Sequence, residues 1–81
     1  MYCTYILESE INGKYYIGST QNTQKRLKQH NSGKSHSTQY ARPWKLIFTK
    51  EFQTRSEAVK YEKYLKSLKK RVQLEKIIAT K

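Results

Sequence analysis

The stretch Lys14-Tyr15-Tyr16-Ile17-Gly18-Ser19-Thr20 decides how the rest of the chain is read. It reads as a short strand, taken as Lys14 to Gly18, that closes on a glycine. Just before it stands Asn12-Gly13, the dipeptide that favours a tight hairpin turn. The other arm of that hairpin is Tyr2 to Glu8, which alternates loosely and is rich in strand-forming residues. With a period of two, Cys3, Tyr5 and Leu7 share one side of the first strand, and Thr4, Ile6 and Glu8 the other. On the second strand Tyr16 and Gly18 point one way, Tyr15 and Ile17 the other. Alternation alone leaves the register between the strands open.

Beyond the hairpin, Asn22 or Thr20 caps a short helix from Thr23 to Asn31, and Gly33 stops it. Leu27 is its main apolar anchor, so this is a mostly polar helix in a chain with little core to spare. Arg26 and His30 lie one turn apart and project from one face. Gly33 to Arg42 is a polar loop ended by Pro43. Trp44 to Phe52 is the third strand, with Trp44, Leu46 and Phe48 expected on one face. A longer helix follows, capped by Thr54 or Ser56; Thr54 and Glu57 have capping-box spacing. Ala58, Tyr61, Leu65 and Leu68 form its apolar stripe. Lys69-Lys70-Arg71 marks a break, and Val72, Leu74, Ile77 and Ile78 predict a final short helix. The fold class is therefore α/β in the α+β sense: one domain over residues 1–81, a three-stranded, mainly antiparallel sheet flanked by helices.

Charge is the strongest bulk signal. Seventeen Lys and Arg against six Asp and Glu give +11 in 81 residues, an excess that attracts polyanions. Nucleic acid is the favoured partner. A membrane surface is excluded, because the basic segments lack an insertion face rich in Trp, Phe and Leu. Cys3 is the single cysteine, so no internal disulfide forms and a structural zinc site of the usual kind lacks ligands. With no long apolar run and no leader pattern, the expected location is the cytoplasm. Seven tyrosines must serve both core and site.

Taken together, these motifs resemble the GIY-YIG nuclease superfamily, in its small stand-alone form. Tyr16-Ile17-Gly18 matches the second motif in full, whereas Cys3-Thr4-Tyr5 keeps only the tyrosine of the first. Arg26-Leu27-Lys28-Gln29-His30-Asn31 resembles the helix that carries the family's arginine and, one turn later, its histidine or tyrosine. Arg42-Pro43-Trp44-Lys45-Leu46 resembles the lead into the third strand. Ser56-Glu57-Ala58 with Tyr61-Glu62 resembles the helix bearing a metal-binding glutamate. The asparagine that many members place near the C-terminus is missing; Ser67 is the nearest substitute.

The resemblance implies a metal-dependent endonuclease acting on DNA. Glu62 would be the protein ligand of Mg²⁺ or Mn²⁺, although by itself it reads as a solvated glutamate paired with Lys66. Arg26 would grip the scissile phosphate, while Lys25 and Lys28 read as ordinary basic helix residues. Tyr5 would act as general base and Tyr16 would position water or phosphate, with the two roles interchangeable. For the base role the phenol needs Arg26, the metal or both nearby, since its ordinary pKa is about 10. His30 would relay a proton or bind phosphate. Lys34, His36, Tyr40 and Arg42 are expected to contact nucleic acid, along with lysines of the basic stretch from Arg55 onward. RNA stands beside DNA as a possible substrate. A chain this short draws its specificity from DNA shape, a partner protein or self-association. The rival readings are a non-cleaving nucleic-acid-binding module on the same fold and a basic domain that recruits a larger repair complex.

Overall fold

Ser9 closes the first hairpin. Its hydroxyl oxygen accepts from the amides of Ile11 and Asn12 (3.1 and 3.2 Å) and its proton goes to the Ala41 carbonyl (2.5 Å). Gly13 takes φ +73°, the left-handed conformation that the turn requires. This computed structural model describes residues 1–33, 39–68 and 70–79. The turn joins strand β1 (Tyr2–Ser9) to strand β2 (Tyr15–Thr20). After helix α1 (Thr23–Asn31) and a single 3₁₀ turn (Gln39–Ala41) comes strand β3 (Trp44–Phe52). Helices α2 (Arg55–Ser67) and α3 (Arg71–Ala79) complete the chain.

The sheet has three strands in the order β2-β1-β3, with both pairings antiparallel. Lying in the middle, β1 is buried on both faces, and Thr4, Tyr5, Ile6 and Leu7 are all inaccessible or nearly so. One face packs Ile6, Ile17 and Phe48 against Leu65 of α2 and Leu74 of α3. The other packs Tyr5, Leu7 and Trp44, joined by Tyr16 and by Leu27 of α1. Each fully buried side chain of this size contributes about 1.5–3 kcal/mol. The fold of so short a chain therefore depends on both small clusters.

Two expectations are corrected here. The second strand does not end at Gly18, because Ser19 and Thr20 pair onward with Thr4 and Cys3 of β1. Nor does Phe48 share a face with Trp44 and Leu46. Ile6 pairs with Phe48 and Leu7 with Leu46, so Ile47 is an extra residue in β3. That bulge reverses the alternation, sending Phe48 to the α2 face while Trp44 and Leu46 stay with Tyr16.

Helix starts follow side-chain chemistry. Asn22, not Thr20, caps α1, its Oδ1 accepting from the Lys25 amide at 3.0 Å. Thr54 and Glu57 form the reciprocal capping box of α2, a device whose loss costs about 1 kcal/mol. The register of α2 on the sheet is set by Thr4, whose buried hydroxyl donates to the Ala58 carbonyl at 2.7 Å. The other end of the hairpin is held by Arg71 of α3. It bonds the Gly13 carbonyl (2.7 Å), pairs with Glu8 (3.2 Å) and stacks 3.9 Å from the Tyr15 ring centre. Expected in a basic break, Arg71 instead ties α3 to the turn. No helix among the described residues is long and apolar enough to cross a membrane.

Candidate functional site

Tyr5 pairs with Gly18 and Leu7 with Tyr16, which places both tyrosines on the α1 face with ring centres 6.4 Å apart. The absence of a side chain on Gly18 gives the Tyr5 ring its place. Helix α1 lies over this face and brings two groups to the pair. His30, wholly buried, sets Nε2 3.2 Å from the Tyr5 hydroxyl, and its ring centre lies 4.7 Å from that of Tyr16. Arg26, one turn earlier, interacts with the hydroxyls of both Tyr5 and Tyr16. Its Nη1 also donates to Gln29 Oε1 at 2.9 Å, which fixes the guanidinium from its own helix.

The polar surface of α1 thus has a purpose inside the fold. Its C-terminal end is anchored by Asn31, which sequence reasoning passed over. The Asn31 amide donates to the Trp44 carbonyl (3.0 Å), and its oxygen accepts from the Trp44 N–H (2.5 Å). Ser67 does not replace the missing C-terminal asparagine: its hydroxyl donates to Tyr64 within its own helix at 2.6 Å.

Electrostatics separate the members of the cluster. Burial raises the Tyr5 pKa, the Arg26 hydrogen bond and charge pull it down, and electrostatic interaction with Tyr16 and Glu62 pushes it up; the net is a rise. Arg26 pulls the phenol toward neutrality, as the base role requires, but desolvation outweighs it. His30 moves the opposite way for an imidazole: burial first, then the Arg26 charge, lower its pKa. At neutral pH the pair is a neutral phenol and a neutral imidazole. The phenol donates to Nε2 in the Nδ1–H tautomer of His30 and accepts from it in the other. The Arg26 pKa rises, chiefly through its bond to Tyr5.

Glu62 approaches the same strand from the other face of the sheet. Its Oε1 accepts from Ser19 at 2.8 Å, and Oε2 pairs with Lys66 at 2.7 Å. The arrangement follows from the α2 register. Thr4 and Ser19 are cross-strand partners, and they bond Ala58 and Glu62, which lie one turn apart on α2. The Lys66 pair expected of a plain helix glutamate is present, but the Ser19 bond holds Glu62 at the edge of β2, next to Gly18. Period-two alternation from Ile17 was the signal that could have found Ser19. The Glu62 charge is felt at Tyr5.

A cleft of about 560 Å³ opens along this edge, lined in part by Ser19, Thr20, Asn22, Lys25, Arg26 and Arg55. Lys25, read from the sequence as an ordinary basic helix residue, lines this cleft. It joins Arg26 and Arg55 in a positive concavity suited to a phosphate. Of the residues expected to contact nucleic acid, Tyr40 is 84% exposed on the 3₁₀ turn. The Arg42 guanidinium packs where a Gly33 side chain would stand. Neither lines the cleft. Lys34 and His36 lie outside the described residues.

Glu62 presents one carboxylate whose oxygens meet a hydroxyl and a half-exposed ammonium. Among the described residues there is no group of three or more His, Cys, Asp or Glu that could hold a metal ion. That donor set fits a hard divalent cation that takes one carboxylate and keeps most of its waters. It does not fit zinc.

A family model described as the GIY-YIG catalytic domain matches residues 1–76. A UPF0213 protein of Streptococcus pneumoniae is 43% identical over 76 residues, covering 93% of this chain and 75% of that protein. The structure-specific endonuclease subunit slx1 of Schizosaccharomyces japonicus is 40% identical over 67 residues. That match covers 75% of this chain but only 24% of the slx1 protein. Among solved structures, the UPF0213 protein BH0048 of Bacillus halodurans is similar at a TM-score of 0.63 with 34% identity. The match covers 100% of this chain and 86% of that one.

Proposed function

This chain belongs to the GIY-YIG nuclease superfamily, and from that premise we propose that it is a metal-dependent endonuclease hydrolysing DNA phosphodiester bonds to leave 5′-phosphate ends. The observation that carries the reading is the Tyr5–His30 bond inside a face that also holds Arg26 and Tyr16. A core serving stability alone gains little from burying a histidine and a phenol beside a guanidinium.

In this reading the scissile phosphate enters the cleft between Lys25, Arg26 and Arg55. The Arg26 fork binds its non-bridging oxygens and stabilises the charge that grows on them in the transition state. A water on the Tyr5 side gives a proton to the Tyr5 oxygen as the Tyr5 proton passes to His30 Nε2. The hydroxide oxygen bonds to phosphorus, the bond to the 3′-oxygen breaks, and that oxygen takes up a proton from solvent water while the phosphate stays on the 5′ end; His30 then returns its proton to solvent. The relay suits a phenol too weakly acidic to be ionised and an imidazole kept neutral by burial. Tyr16, against His30, positions the water or the phosphate. Glu62, oriented by Ser19, would hold Mg²⁺ or Mn²⁺, which when bound polarises the phosphate and assists the leaving oxygen.

The test is conversion of supercoiled plasmid to nicked circle in Mg²⁺ or Mn²⁺, beside an electrophoretic shift assay. Metal-dependent nicking lost in Arg26→Ala supports the reading. A shift without nicking in either metal makes the chain a non-cleaving binding module. The similarity to a structure-specific endonuclease subunit favours branched DNA as substrate and a partner protein in its selection.

A further inference from the structure

On the side of α2 away from Glu62, strand β3 and the helix build a second surface. Phe48, Lys50 and Phe52 alternate along β3 and all face α2, since they pair with Ile6, Thr4 and Tyr2. Tyr61 of α2 lies between them, its ring centre 6.5 Å from Phe48 and 5.5 Å from Phe52. Tyr64 continues the row at 5.8 Å from Tyr61 and is 52% exposed. The Lys50 ammonium sits 4.9 Å from the Tyr61 ring centre and 5.8 Å from that of Phe52. Phe48 is buried and accounts for packing the helix on the sheet. Packing does not account for the exposed Tyr64 ring at the outer end of the row, nor for the exposed Lys50, which lies over Tyr61 and Phe52 and has no carboxylate partner among the described residues.

We propose that the Lys50–Phe52–Tyr61–Tyr64 surface is a binding platform for unpaired DNA, with a base stacked on Tyr64 and the adjoining phosphate on Lys50. Aromatic rings offer every base a stacking face, and a nearby ammonium supplies the phosphate contact; together they bind single strands with little sequence preference. The charge of the whole chain, +11, supports a polyanionic occupant over an apolar one. Strand β3 is two positions from β2, so the two strand backbones run about 10 Å apart across the sheet, β2 at the cleft edge and β3 under the platform. A DNA with a duplex arm in the cleft and an unpaired arm on the platform would engage both. This deepens the nuclease reading by giving the unpaired arm of a branched DNA its own contact outside the cleft, and for that part it rests on that reading.

The experiment measures affinity by fluorescence anisotropy for an oligothymidylate and for a blunt duplex of equal length. It uses the full chain and its Tyr64→Ala, Tyr64→Phe, Lys50→Met and Arg26→Ala variants. Tyr64→Ala should weaken oligothymidylate binding at least about fivefold while Tyr64→Phe keeps it. The duplex affinity should change less than twofold in both. Lys50→Met should weaken the oligothymidylate and flatten its salt dependence by about one unit of slope. Amide shift mapping on the unaltered chain adds a readout that needs no variant. Oligothymidylate should move residues of 50–52 and 61–64 more than those of 25–30. Equal losses for both DNAs, an unchanged affinity in Tyr64→Ala, or shifts confined to α1 would overturn the platform. Plasmid nicking is scored separately: a chain that fails to nick yet shows the Tyr64 effect keeps the platform and loses the nuclease. One that nicks without that effect does the reverse.

Discussion

The Tyr5 hydroxyl occupies the space beside Gly18: a Cβ built on that glycine would stand 2.5 Å from the Tyr5 Oη and 2.7 Å from its Cζ. The phenol therefore packs over Gly18 on the α1 face, one residue from Ser19, which holds Glu62 from the opposite face. Gly18, unlike Gly13, is needed for this close approach and not for a turn, since it has no positive φ.

Gly18→Ala should accordingly displace a ring that is only 2% exposed and has no room to yield. Overpacking of this kind costs about 1–3 kcal/mol. In a domain of this size each kcal/mol lowers Tm by about 4–8 °C. Thermal unfolding measures this, and a variant as stable as the parent would mean that the ring moves freely and Tyr5 is not held in place.

Stability should fall on the acid side because of His30. Its folded pKa lies below the ordinary value of 6.5, so between the two the unfolded chain binds the extra proton. The contribution is full above 6.5 and is lost as pH falls through the folded pKa. Tyr5 has the opposite sign: its folded pKa lies above 10.0, so its contribution is full below 10.0 and is lost as pH rises past the folded value. Denaturant melts across pH should show an acid-side slope that His30→Gln removes. The slope surviving that substitution would assign it to other groups.

Tyr5→Phe keeps the ring and deletes the proton donor. Losing one buried hydrogen bond costs about 0.5–1.5 kcal/mol, so the fold should remain cooperative. Cleavage should drop by at least ~10² if the phenol is part of the relay. Circular dichroism with a plasmid-nicking time course separates the two. A folded, fully active Phe variant would remove Tyr5 from the mechanism.

The hairpin, both helix caps and the bounds of β3 were legible because each is written in local chemistry: Asn-Gly, Asn22, the Thr54–Glu57 box. The placement of Tyr5 and Tyr16 on one face was half legible, since alternation gives the side within a strand but pairing gives the register. Phe48 was misplaced because a bulge at Ile47 is a property of the β1–β3 pairing and has no signature in β3 alone. The sign of the Tyr5 shift is likewise absent from the motif. It depends on how completely α1 excludes water from the ring, and a motif names neighbours without saying how dry they are. Ser19 and Asn31 escaped notice because each acts on a residue distant in sequence.

The Ser19–Glu62 bond leads to the prediction that separates a placed carboxylate from a plain surface glutamate. Ser19→Ala removes the donor that holds Oε1 at the β2 edge, leaving Lys66 as the remaining partner on a flexible stem. If Glu62 binds the metal, the variant should need about tenfold more Mg²⁺ for half its maximal nicking rate, the scale on which supporting residues act. The rate at saturating Mg²⁺ should be largely restored, because the ligand itself is intact. Glu62→Gln should lose at least ~10² in rate and should not recover with added metal. Lys66→Ala frees Oε2 from its ammonium, so its Mg²⁺ requirement should fall or stay level. Nicking rates over a Mg²⁺ titration test all three together. An unshifted titration in Ser19→Ala, beside a normal rate in Glu62→Gln, would return Glu62 to an ordinary helix glutamate and send the metal site elsewhere.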